Sequence, residues 1–116
     1  MEAINLIRSA EINYTLVVGD SFAPPPVAFV IDGTDEDFTG CTIRMQVKKT
    51  NKVEAELNDR EGIAVSGNTL QYSIAAWKTK KMGAGTFKYD VQKQDSAGIV
   101  QTIQHGTITL TDDTTK

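Results

Sequence analysis

Apolar and polar residues alternate with a period of two along most of this chain. In NYTLVV, Tyr14, Leu16 and Val18 fall on one side, Asn13 and Thr15 on the other. In VAFVI, Val27, Phe29 and Ile31 share a face, and the apolar Ala28 and Val30 predict cover on the second face as well. Cys41, Ile43, Met45 and Val47 alternate with Thr42, Arg44, Gln46 and Lys48. Leu70, Tyr72 and Ile74 alternate with Thr69, Gln71 and Ser73, and Phe87, Tyr89 and Val91 with Lys88, Asp90 and Gln92. Each pattern predicts a half-buried strand. Gly19-Asp20, Asp32-Gly33, Thr39-Gly40, Ser66-Gly67-Asn68 and Gly83-Ala84-Gly85 read as the turns between them. Strands recurring at roughly 10–15-residue intervals predict an all-β sandwich or barrel. The alternation favours antiparallel pairing with one wet face.

Two stretches break the period. AAWKTKKM has no alternation and several good helix formers. It predicts one short helical turn near 75–82, crossing between sheets, with Trp77 lidding one end of the core. In the last strand Ile99 and Ile103 are odd-numbered, whereas Ile108 and Leu110 are even. Both pairs share a face only if a residue is inserted, so a bulge or bend is expected at His105–Thr107, where Gly106 makes it cheap. The prolines of APPPV (Ala23 to Val27) donate no ladder hydrogen bonds and read as a stiff connector from one sheet edge to the next strand. The whole of 1–116 reads as one domain, with residues 1–10 as an N-terminal arm and 112–116 as a fraying tail.

A chain of 116 residues, 40% apolar and 23% charged, can bury one core without metal or disulfide staples. No apolar run approaches the roughly 20 residues that span a bilayer, so no membrane partner is expected. The net charge of −3 argues against a nucleic-acid partner, and the basic KTKKM cluster reads as a solvated face. The N-terminus has neither a basic n-region nor an apolar core, so no secretory leader is read. The lone cysteine forms no internal disulfide, which fits a reducing compartment.

Little in the sequence advertises a reaction. His105 is the only histidine, and no G-x-S-x-G elbow accompanies it. Cys41 is in step with Ile43, Met45 and Val47 and reads as a small packing residue rather than a reactive thiol. DGTDEDFTG places Asp32, Asp35 and Asp37, with Glu36, in one loop. These carboxylates are the calcium candidates of the chain. Their spacing is not that of an EF-hand, so the loop reads as a wet acidic tip and no metal centre is assigned. GAGT is followed by a strand rather than a helix and is a turn, not a phosphate cradle. The NYT sequon, with no leader, reads as accidental. No catalytic residue and no cofactor are expected, and the chain is not read as an enzyme.

The order of landmarks is more specific than any one of them. GDSF (Gly19 to Phe22) is followed by DFTGCTIRMQVKK (Asp37 to Lys49), EGIAVSGNTLQYSI (Glu61 to Ile74) and GAGTFKYDVQKQDSAGIVQTIQHGTITLTDD (Gly83 to Asp113). This order resembles the immunoglobulin-like N-terminal domain of tailed-phage baseplate upper proteins and related small prophage tail proteins. The resemblance covers about Tyr14 to Asp113. Cys41 stands where that pattern carries alanine, and Phe87 where it carries tyrosine. The resemblance implies an immunoglobulin-like antiparallel sandwich of about 7–8 strands and a non-enzymatic structural role in a tail or baseplate. The implied partners are other tail proteins or copies of itself, in a homo-oligomer. The implied location is the host cytoplasm during assembly, then the virion. A small binding module for a glycan or bacterial surface ligand is the alternative, and exposed aromatic residues would distinguish it.

Overall fold

The computed structural model of the chain describes residues 2–5, 10–31, 34–35 and 38–112. In chain order the strands are β1 (Glu2–Asn5), β2 (Ala10–Glu11), β3 (Tyr14–Val17), β4 (Val27–Ile31), β5 (Thr34–Asp35) and β6 (Thr42–Lys49). They continue with β7 (Lys52–Asn58), β8 (Ile63–Ser66), β9 (Thr69–Tyr72), β10 (Gly85–Gln94) and β11 (Val100–Thr111). One helix, α1 (Ala76–Met82), separates β9 from β10. The first sheet runs β1-β4-β9-β8 with β5 beside β4. The second runs β2-β11-β10-β6-β7 with β3 also beside β11. This is the two-sheet strand order of an immunoglobulin-like sandwich. The molecule is elongated, 48 × 26 × 22 Å.

The alternation in the sequence becomes the inner face. Ile43, Met45 and Val47 of β6 and Phe87, Tyr89 and Val91 of β10 are buried against Phe29 of β4 and Leu70 and Tyr72 of β9. Phe29 and Phe38 meet edge to face, with ring centroids 5.4 Å apart. Segment 22–26 carries the chain from β3 in one sheet to β4 in the other, as its prolines predict, and Phe22 pairs with Ile74 on the way.

Several expectations are corrected. Eleven strands are described, nine of them four residues or longer, rather than 7–8. Pairing is not antiparallel throughout: β1 joins β4, and β2 and β3 join β11, in parallel. These partners are far apart in sequence, so no hairpin dictates their direction. Within the N-terminal arm the described residues 2–5 form β1 in one sheet, and Ala10 opens β2 in the other. The tail expected to fray, beyond Asp112, lies outside the described residues.

Besides β1 and β2 of the arm and the two-residue β5, the strands β7 and β8 escaped the sequence reading. β7 carries its own alternation, with Ala55 and Leu57 buried, but Val53 faces out because the register slips opposite Val47/Lys48. Thr50 and Asn51, at φ 50° and 66°, form the tight turn that starts it. β8 pairs with β9 from Ile63↔Tyr72 to Ser66↔Thr69.

Helix α1 has the predicted bounds but the opposite orientation. Its fully buried residue is Thr79, whose hydroxyl donates to the Asp20 carbonyl at 2.8 Å and accepts the Gly19 N–H at 3.1 Å. That hydroxyl pins the helix to the turn after β3. Trp77 lies two residues away, about 200° around the helix. It therefore points to solvent, 66% exposed, and Met82 packs against the core instead.

The parity argument for β11 holds for Ile103 against Ile108 and Leu110 but not for Ile99, which is exposed before the strand begins, and the irregularity falls earlier than expected. Val91 pairs with Gln104 and Gln92 with Thr102, so Ile103 is the inserted residue. At the bulge both Ile103 and Gln104 face inward. Gly106 has a different task. The chain between β2 and β3 crosses so close that a Cβ on Gly106 would overlap the Ile12 carbonyl oxygen, and its φ of 153° suits glycine. Asn13 Oδ1 then accepts the Thr107 N–H at 2.9 Å, replacing a ladder carbonyl between the residues of β11 that pair with β2 and those that pair with β3. Gly106→Ala should accordingly cost roughly 2–3 kcal/mol. Urea unfolding followed by circular dichroism checks this; a loss below about 0.5 kcal/mol would contradict the close approach.

Candidate functional site

The chain has three tyrosines, and all three meet one glutamine. Gln104, opposite Val91 and in step with Ile108 and Leu110, is fully buried. Its Oε1 accepts the Tyr72 hydroxyl at 2.7 Å. Its Nε2 donates to the hydroxyls of Tyr14 at 3.0 Å and Tyr89 at 2.9 Å. Tyr89 in turn donates to the Ile12 carbonyl at 2.7 Å. Tyr72 comes from the first sheet and the others from the second, so the cluster joins the two layers. Burial, with Tyr14 and Tyr89 adding to it, pushes the Tyr72 hydroxyl far above the ordinary tyrosine range. Among the described residues no buried side-chain polar atom lacks a partner, so this interior offers no unfilled group to a ligand. Its role is to clamp the sheets.

Groups available to a ligand lie outside. On the outer face of the second sheet, Glu56, Gln46, Asp90, His105 and Glu11 stand opposite one another in succession across β7, β6, β10, β11 and β2. An open groove of about 450 Å³ runs beside this row, lined among others by Glu11, Lys48, Lys88, Asp90 and His105. It is shallow, wet and of mixed sign, the character of a contact face rather than a reaction chamber.

A second site lies where α1 meets the edge strand β7. Trp77, Lys78, Lys81 and Met82 from the helix and Lys52 and Glu54 from the strand line a pocket of about 270 Å³. The i, i+4 spacing of Trp77 and Lys81 and the i, i+3 spacing of Lys78 and Lys81 bring the helix residues to one face. Lys78 Nζ stands 5.9 Å from the centre of the indole, within cation–π range. This site was missed because Trp77 was expected in the core; the signal was Thr79, whose hydroxyl suited the buried side of the helix.

The earlier candidates do not converge. Cys41 is half-buried just before β6 and packs against the core, as its register predicts. His105 is exposed on the outer face of β11, opposite Asp90. Of the calcium candidates, Asp32 and Asp37 lie outside the described residues, and Asp35 is placed by its backbone alone, opposite Val30 in β5. Among the described residues no group of three or more His, Cys, Asp or Glu side chains could hold a metal ion. No described helix is long and apolar enough to cross a membrane. No protein-family model matches the chain, and no curated protein matches it in sequence.

Tyr72 generates a test of the clamp. Tyr72→Phe leaves the Gln104 carbonyl without its donor and should cost about 1–3 kcal/mol at neutral pH. Its raised pKa means that the unfolded state ionises first as pH climbs. The stability it contributes is thus full below roughly pH 10 and falls above it, by about 1.4 kcal/mol per pH unit. The gap between wild type and Tyr72→Phe should therefore narrow in urea titrations above that pH. A gap constant to high pH would contradict the buried hydroxyl.

Proposed function

We propose that this chain is a non-enzymatic structural protein of a phage or prophage tail or baseplate, working as an assembly or interaction domain. Its partners are other tail proteins or copies of itself, met in the host cytoplasm and kept in the virion. The observation that carries the reading is where the residues of the resemblance sit. Thr39-Gly40 forms a turn and Gly83-Ala84 joins α1 to β10, while Ile43, Met45, Val47, Phe87, Tyr89 and Val91 fill the core. The likeness is one of scaffold, and scaffolds of this kind act through their surfaces.

The contact surface that best fits assembly is the pair of sheet edges. β7 ends the second sheet and β8 the first, and the short connection between them brings Asn58 beside Gly62. Each edge exposes a valine, Val53 and Val65. Edge strands with unpaired backbone groups recruit further strands. Light scattering at micromolar concentration should show self-association. Val65→Lys should weaken it without altering the circular dichroism spectrum. A strict monomer, or association indifferent to Val65→Lys, would count against pairing through this edge.

A small binding module for a glycan or surface ligand is the second reading. The exposure of Trp77 is the observation that favours it, since a large aromatic ring left in solvent beside a pocket suits ligand stacking.

A further inference from the structure

We infer that the pocket between α1 and β7 binds an acidic sugar unit, a pyranose carrying a carboxylate or another anionic group, within a polysaccharide. The inference rests on the binding-module reading and gives that reading a ligand class.

Three features of the pocket point the same way. The Trp77 indole is two-thirds exposed, and its electron-rich face suits the polarised C–H bonds of a sugar ring. Lys52, Lys78 and Lys81 line the same pocket. Among the described residues none of these ammonium groups has a hydrogen-bond or ion-pair partner; Lys78 only leans on the indole. Three such cations lining one pocket on an acidic protein, against a single carboxylate, are a local inversion of its charge. They suit one anionic group. Glu54, half-buried in the same pocket, supplies an acceptor for sugar hydroxyls.

The same features disfavour a nucleic-acid strand. Strand-binding grooves offer successive aromatic rings and a continuous basic track. This pocket has one ring, occupies about 270 Å³, and includes the carboxylate of Glu54, which repels phosphates. A ring with one anionic substituent and several hydroxyls matches the groups present better than a chain of phosphates does.

Trp77 is the only tryptophan in the chain, so its fluorescence reports this pocket alone. The experiment titrates the folded chain with a short oligogalacturonide, with a neutral galacto-oligosaccharide of equal length, and with oligothymidylate. The acidic sugar should shift Trp77 emission in a saturable way that weakens with added salt, and the other two should not. Lys78→Ala with Lys81→Ala should weaken binding roughly tenfold. Trp77→Ala, followed by calorimetry, should abolish it while the circular dichroism spectrum is kept. An equal response to the neutral sugar would overturn the role of charge and leave the binding-module reading standing. A tighter response to oligothymidylate would replace the sugar by nucleic acid. Silence toward both sugars would overturn the inference together with the glycan form of that reading.

Discussion

The glutamine–tyrosine clamp is the interaction on which the two-layer structure turns. A sandwich held by apolar contact alone is free to slide, because dispersion and hydrophobic burial are weakly directional. A buried amide is not. Gln104 has one acceptor oxygen and two N–H donors, and three hydroxyls from three strands meet them. Leaving any one unmet would cost about 1–3 kcal/mol, more than the net value of the bond itself. The asymmetry favours one relative placement of β9, β10, β11 and β3. A fully satisfied polar network in an apolar core specifies geometry in this way.

The clamp sits between two backbone irregularities. Gln104 keeps step with the inward Ile108 and Leu110 and so reaches Tyr72, while the inserted Ile103 lets that side chain fill the core beside it. Without Gly106, the N-terminal segment could not approach closely enough for Ile12 to accept the Tyr89 hydroxyl and for Asn13 to cap Thr107. Bulge, glycine and N-terminal strand thus form one unit, and the first strands are laced into the fold by polar contacts as well as by ladder pairing.

The outside is organised differently. Thr79 occupies the inward side of α1 and so sends Trp77 to the surface, beside the unpaired cations of β7 and the helix. Interior polar groups among the described residues are satisfied, whereas the surface keeps an exposed ring, mixed-sign rows and two open sheet edges. Such a division suits a domain that works by contact.

Much was legible from the chain alone. Period-two patterning, proline and glycine determined the all-β class, most core residues, the connector and the short helix, because these follow from local geometry. The clash of parity in β11 even required a bulge. Its position at Ile103 rather than beside Gly106 was a tertiary matter: the glycine was needed for a crossing segment more than ninety residues away in sequence. Likewise β7 carried a readable alternation that its own bulge partly scrambled at Val53. The parallel joining of the N-terminal strands, the meeting of three tyrosines on one amide and the outward turn of Trp77 were decided by the tertiary structure. Each depends on which distant backbone groups lack a partner, and local periodicity holds no record of that.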